Sequence, residues 1–298
     1  MDNVPWQHLS DAEREREYSP SSCVGGDLAP FLDAYATQSR VARELCASAG
    51  SPVLEIRYGP ADSQTIDLVV PPGEDGPWPL VVFIHGGYWQ ELSKQESFFP
   101  AADCLAHNVA YAAIDYTLAP SASIDDIVSE SHLAIGALRT LDQSHRIDVG
   151  RIVVCGSSAG AHLAAMVGLG SPDGFRPAGV GLVSGIFEME PLLGTSINNA
   201  VRLDDASAHR NSPMRAPLDS FPPTLIAYGD NETSEFKRQS DDFALGLSSA
   251  GVSVEKYEVL GRNHFDVILE LCDEDSTLGE ALYRLISLSD PTSGRPIS

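Results

Sequence analysis

The chain has 298 residues and a mass of 31.8 kDa, enough for one large α/β domain and short for two full catalytic domains. Hydrophobic residues make up 43% and charged residues 20%, which supplies a core and excludes global disorder. The 19 basic against 42 acidic residues give a formal charge of −23, a surface that repels nucleic acid and anionic membranes but does not identify a substrate. A homodimer is compatible with base rates for soluble proteins. The five cysteines (Cys23, Cys46, Cys104, Cys155, Cys272) are odd in number, widely spaced and free of any CxxC pair. They argue against a disulfide framework or zinc site and for a reducing cytoplasm. Met1 to Glu17 lacks the basic-then-apolar pattern of an export signal. No apolar run approaches the roughly 20 residues of a membrane span.

In chain order, residues 1–50 read as helical. Ser10 to Glu13 can cap a short helix, Tyr18 to Gly26 reads as a loop, and Leu28 to Ala47 is amphipathic. Strand-like runs follow at Val53–Tyr58 and Thr65–Val70, then a breaker from Pro71 to Pro79. Leu80–Ile84 is continuously apolar, as a strand buried on both faces of a mostly parallel sheet should be. A helix is expected over Gln95–Ala106, a strand over Val109–Ile114 and a helix over Ile124–Thr140. Ile152–Cys155 then reads as a strand and Ala159–Gly168 as a small-residue helix. Val180–Val183, Thr224–Tyr228 and Val252–Val259 read as further strands, Ser234–Ala250 as a helix, and Phe265 to Ser287 as terminal helices. Such alternation predicts an α/β fold with helices on both faces of the sheet, within a single domain spanning 1–298. The irregular stretch 186–222 interrupts it and is the expected cap over an active site.

Gly156-Ser157-Ser158-Ala159-Gly160 follows a buried strand directly and opens a helix. A G-x-S-x-G sequence in that setting places a nucleophile, here Ser158, on a strained turn. The helix N-terminus then offers free N–H groups to developing negative charge. His85-Gly86-Gly87-Tyr88-Trp89 ends the strand Leu80–Ile84, and its two glycines let the backbone turn N–H groups toward a substrate carbonyl. A nucleophilic serine also needs a base held by a carboxylate. His162 is only four residues past Ser158, and His209 lies in the expected cap. His264, in the loop Gly261 to Phe265 after the last strand, suits the role of base. The acid should follow Thr224–Tyr228, where both Asp230 and Glu232 stand. The position three residues past Gly229 favours Glu232.

His85-Gly-Gly-Tyr-Trp89 resembles the HGGxW signature of the serine-dependent arylformamidases (kynurenine formamidases), α/β-hydrolases near the hormone-sensitive-lipase-like esterases. Asp115 to Pro120, Ser184 to Leu192, Gly229 to Ser240 and the Asn-His-Phe around His264 are similar to the same group, so the resemblance spans roughly residues 18–285. It implies Ser158 as nucleophile, His264 as base, and Glu232 where the family usually has aspartate, a departure that keeps Asp230 open as the acid. It also implies oxyanion donors at the N–H groups of Gly87, Tyr88 and Ala159. Tyr88 and Trp89 would line the pocket, with Phe187, Ile186 and Ser196–Asn199 as further walls.

No P-loop and no paired-histidine metal motif is present, and Gly179 to Ser184 lacks the third glycine of a dinucleotide fingerprint. The expected reaction therefore needs neither cofactor nor metal. The expectation is a serine hydrolase working through an acyl-enzyme on N-formyl arylamines such as N-formylkynurenine. A carboxylesterase for small acyl esters is the alternative. A hydrolase-fold binding protein without turnover is disfavoured, because a pure binder has no need for serine, histidine and acid together.

Overall fold

The computed structural model describes residues 6–73, 75–141 and 145–288. The first five residues, part of the segment read for an export signal, lie outside the described residues. The centre is one eight-stranded sheet of order β1-β2-β4-β3-β5-β6-β7-β8. The strands are β1 (Leu54–Arg57), β2 (Thr65–Val69), β3 (Trp78–Ile84), β4 (Ala110–Ile114), β5 (Ile147–Ser157), β6 (Gly179–Val183), β7 (Thr224–Asn231) and β8 (Val254–Asn263). β2 runs antiparallel to β1 and β4, while every pairing from β4 through β8 is parallel.

Alternation along the central strands sends side chains to two apolar layers. Leu80, Val82 and Ile84 enter one layer, and Val81 and Phe83 enter the other. The first layer is closed by α4 (Ile124–Arg139), α5 (Ala159–Gly168) and α8 (Ser234–Ser249). The second is closed by α2 (Ala29–Ser48), α3 (Ala101–Ala106) and the C-terminal α9 (Thr277–Leu288). Sheet positions covered on both sides require apolar residues throughout, which is why β3 reads as an unbroken hydrophobic run.

The short α1 (Asp11–Glu17) opens on a capping box. Ser10 Oγ accepts from the Glu13 N–H, and the Glu13 carboxylate accepts from the Ser10 N–H at 2.9 Å. Between α1 and α2, where a loop is expected, Pro20–Val24 forms a 3₁₀ turn. The helix expected over Gln95–Ala106 is confined to Ala101–Ala106, because Pro100 disfavours helical backbone at the residue before it. β5 starts five residues earlier than its apolar run, and β8 extends to Asn263. Polar residues at the ends of these strands pair without being buried, so hydrophobicity understates their length. Residues 186–222 hold two 3₁₀ turns, Glu190–Gly194 and Pro213–Arg215, and two short helices, α6 (Asn198–Val201) and α7 (Asp205–Arg210). Among the described residues no helix is long and apolar enough to cross a membrane.

α5 carries a histidine into the core. His162 is fully buried, its Nε2 donates to the Asn211 carbonyl at 2.7 Å, and its ring meets Trp89 edge-on at 5.2 Å. A carbonyl only accepts, so Nε2 carries a proton, and the buried Nδ1 has no partner. Burial pushes the group down from 6.5 to about 4. The folded value lies below the unfolded one, so stability falls as pH drops from about 6.5 toward 4 while only the unfolded chain gains this proton. Urea unfolding at pH 7 and pH 5 is expected to show a loss about 2 kcal/mol smaller for His162→Gln than for the wild type. An equal loss in both would contradict this origin.

Candidate active site

Ser158 sits where β5 passes into α5, with φ 55° and ψ −119°. A non-glycine residue in that region is strained and persists only where its surroundings hold it. Here the Ser158 N–H donates to the Val183 carbonyl at 2.8 Å. The flanking glycines are steric requirements. A Cβ on Gly160 would overlap the backbone carbonyl of Ile84 in β3, and one on Gly156 would overlap the carbonyl of Gly160. Glycine alone lets the first turn of α5 press onto the end of β3, and that contact brings Ser158 beside the loop leaving β3.

That loop is the His85 to Trp89 segment. Gly87, Tyr88 and Trp89 all have positive φ (88°, 49° and 60°), which turns the chain back sharply. Tyr116 Oη donates to the His85 carbonyl at 3.0 Å, and the His85 ring donates from Nδ1 to the Gly86 carbonyl at 2.9 Å. These bonds occupy the loop's acceptors. Among the described residues, the N–H groups of Gly87 and Tyr88 donate to no backbone or side-chain acceptor. Ala159 is the first residue of α5, so its N–H has no carbonyl four residues back within the helix. The three expected oxyanion donors are thus uncommitted amides around Ser158.

His264 immediately follows β8 and is 4% exposed. Its Nδ1 lies 2.8 Å from Glu232 Oε2, a carboxylate whose side chain is wholly buried. Glu232 follows β7, and its second oxygen accepts the Ser184 hydroxyl at 2.6 Å and the Gly229 N–H at 2.7 Å. Every lone-pair direction used by this carboxylate is therefore fixed by neighbours at the ends of β6, β7 and β8. Asp230 turns elsewhere: its Oδ1 accepts the Gly261 N–H at 2.9 Å, and its side chain makes no bond to His264. Phe236 packs edge-on against the imidazole at 4.4 Å and excludes water from that side.

Ser158 and His264 line one cavity of about 350 Å³. Its walls are aromatic and aliphatic, with Tyr88 and Leu92 from the β3 loop and Phe265 and Ile268 from the segment after β8. The roof differs from the expectation. Of the stretch 186–222 only Ser196 and Ile197 reach the cavity, while Tyr18, Pro20, Leu28, Leu32 and Tyr35 of the N-terminal segment cover it. Trp89 and Phe187, expected at the pocket, do not line it. Trp89 is fully buried against His162, and Phe187 stacks on Phe243 at 4.4 Å inside the core. Ile186 is equally buried. Leu28, which caps α2, and Leu32 and Tyr35 within it recur on one face, a period visible in the sequence. Its partner surface was not, since the same period serves a helix packed on any apolar layer. Ser184 carried no signal beyond its place after a strand.

A serine hydroxyl, an imidazole held by a carboxylate and converging amides can together activate an oxygen nucleophile and hold an oxyanion. Comparisons with known proteins agree with this chemistry. The BD-FAE family profile matches residues 66–248. The kynurenine formamidase of Danio rerio is 32% identical over 95% of this chain and 99% of its own length. Among solved structures, a candidate thioesterase from a Silicibacter species superposes with a TM-score of 0.78 at 27% identity, covering 91% of this chain and 99% of its own. The carboxylesterase EstE1, cloned from a metagenomic library, gives 0.69 at 18% identity over 88% and 98%. The chain therefore has the α/β-hydrolase fold and belongs to the BD-FAE and kynurenine formamidase families of serine hydrolases.

Proposed function

We propose that this enzyme hydrolyses N-formyl arylamines of the N-formylkynurenine type through a formyl-enzyme on Ser158. Ser158 Oγ attacks the formyl carbon and gives its proton to His264 Nε2. The carbonyl oxygen becomes an oxyanion facing the N–H groups of Gly87, Tyr88 and Ala159. The C–N bond then breaks, and His264 returns the proton to the departing arylamine nitrogen. Water, deprotonated by His264, attacks the formyl ester. Collapse of that intermediate releases formate and restores the serine hydroxyl. Glu232 keeps the His264 tautomer with Nδ1 protonated and Nε2 free, and stabilises the imidazolium between transfers.

The observation that carries this reading is that His264, held by the buried Glu232, lines one cavity with a strained Ser158. Identity to a kynurenine formamidase over nearly the whole chain supports the formamide as substrate. The apolar walls suit the aryl leaving group. The reading extends to a cytoplasmic enzyme, where the four buried thiols stay reduced, and to a homodimer, the commonest closed assembly.

Hydrolysis of N-formylkynurenine beside p-nitrophenyl acetate tests the substrate. The formamide kcat/KM is expected to equal or exceed that for the activated ester, and Ser158→Ala to lower both by at least about 10⁴-fold. Strong ester turnover with negligible formamide turnover would make the enzyme a carboxylesterase, and activity surviving Ser158→Ala would overturn the mechanism. Inert Ser158 toward a fluorophosphonate probe would favour a binder.

Glu232→Gln is expected to lower kcat by about 10³- to 10⁴-fold, because the amide no longer specifies the tautomer. Asp230→Asn should stay within about threefold, as is usual for a side chain remote from the chemistry. The reverse order would make Asp230 the acid. Ser184→Ala frees one of two bonds on Glu232 Oε1, and steady-state kinetics should show kcat about tenfold lower with KM unchanged.

A further inference from the structure

The cavity holds a second free hydroxyl beside the nucleophile. Among the buried hydroxyl residues that line it, Tyr18 donates to Glu235, Ser97 to the Ser93 carbonyl and Tyr35 to the Phe265 carbonyl. The Ser158 hydroxyl is the nucleophile. Ser157 has no such employment: it is 8% exposed, and its Oγ bonds no group among the described residues. Its direction follows from β5. Ser157 is in register with Val183 of β6, and it stands two residues beyond Cys155 and four beyond Val153. Those three neighbours belong to the second apolar layer, so alternation turns the Ser157 side chain to that side of the sheet. Phe83, Tyr35 and Ile268 of the same layer line the cavity. The Ser157 oxygen is not sealed in the core as the unpartnered ring nitrogens of Trp89 and His162 are. It therefore presents one hydroxyl to an arm of the cavity walled by Phe83, Tyr35 and Ile268.

We propose that Ser157 selects the leaving group, by donating its hydroxyl to a carbonyl on the ring carbon next to the formamido nitrogen. The proposal rests on the arylformamidase reading and narrows it. A formyl group carries only hydrogen on its carbonyl carbon, so what fills the cavity beyond the reacting atoms is the arylamine. Ser157 is one peptide step from Ser158, about 3.8 Å between Cα atoms. A group that meets it lies few bonds from the C–N bond being cut, which on an aryl ring is the ortho position. The ring displaces water from the hydroxyl, and a hydroxyl left without a partner in apolar surroundings is unfavourable. An ortho carbonyl has two lone pairs, one for the formamide N–H of the same molecule and one for Ser157. A leaving group without this oxygen strands the hydroxyl and is disfavoured.

Two formanilides of nearly equal shape separate the hydrogen bond from packing. One bears an ortho acetyl group, the other an ortho isopropenyl group, which has a methylene in place of the oxygen. The readout is the ratio of their kcat/KM values, acetyl over isopropenyl, in each variant, so the intrinsic reactivity of the two substrates cancels between variants. Ser157→Ala is expected to lower this ratio by about tenfold, and Ser157→Thr, which keeps the hydroxyl, to restore it. A merely structural role for Ser157 would slow both substrates together and leave the ratio unmoved. That result would overturn the proposal, as would a ratio lost equally in Ser157→Thr. If neither formanilide is hydrolysed, the arylformamidase reading fails by itself. The acetate esters of 2-acetylphenol and 2-isopropenylphenol then read the same ratio, with the same outcomes supporting or overturning the role of Ser157.

Discussion

The site depends on one close approach, that of the first turn of α5 to the end of β3. Gly160 lies so near the Ile84 carbonyl that no side chain fits between them. The contact brings two pieces of backbone together, the elbow carrying Ser158 and the loop carrying Gly87 and Tyr88. The parallel register of β3 and β5 supplies the rest, since it ends both strands at one edge: Ile84 pairs with Gly156. Ligand sites in open α/β sheets form beyond the carboxyl ends of the strands for this reason. Backbone strain at Ser158, Tyr88 and Trp89 is concentrated here, where packing on every side can sustain it.

A second set of interactions ties the roof to this scaffold. Tyr18 donates its hydroxyl to Glu235 at 2.7 Å, and Thr233 donates to the Glu17 carbonyl at 2.6 Å, so the end of α1 is fastened to the start of α8. Tyr88 Oη donates to the Tyr18 carbonyl at 2.5 Å, which joins the roof to the loop after β3 as well. Arg238 closes the cluster by bonding Glu235 and Glu188. Such a network satisfies its members jointly, and loss of one partner leaves a buried charge exposed to the others. The N-terminal segment is in this way part of the site despite its distance in sequence from Ser158, Glu232 and His264.

Much of this was legible in the chain. The continuous apolar runs of β3 to β7 announced a doubly covered sheet, and the G-x-S-x-G segment between a strand and a small-residue helix marked the elbow. Chain order alone placed His264 after the last strand. The acid was harder: Asp230 and Glu232 are two residues apart, and the β7–β8 register, with its irregularity after Gly229, decides which one faces the imidazole. The pocket walls were harder still. Trp89 and Phe187 were expected at the cavity from the family resemblance, but aromatic side chains next to a site also serve as its foundation. Their depth depends on tertiary packing that no local pattern encodes. The roof was missed because amphipathic periodicity in α2 tells that a face is covered, not what covers it.

The division between roof and scaffold has a consequence for divergence. Ser158, His264, Glu232 and the amides of Gly87, Tyr88 and Ala159 all stand at or just beyond strand ends that share one sheet, where a shift in any element disturbs the others. The covering residues Tyr18, Leu28, Leu32 and Tyr35 come from a separate stretch of chain whose backbone takes no part in the sheet. Substitution there reshapes the enclosure while the reacting groups keep their spacing. Relatives can thus drift in what they admit long before they lose the ability to cleave it, and directed evolution of leaving-group scope has its natural library in residues 18–35.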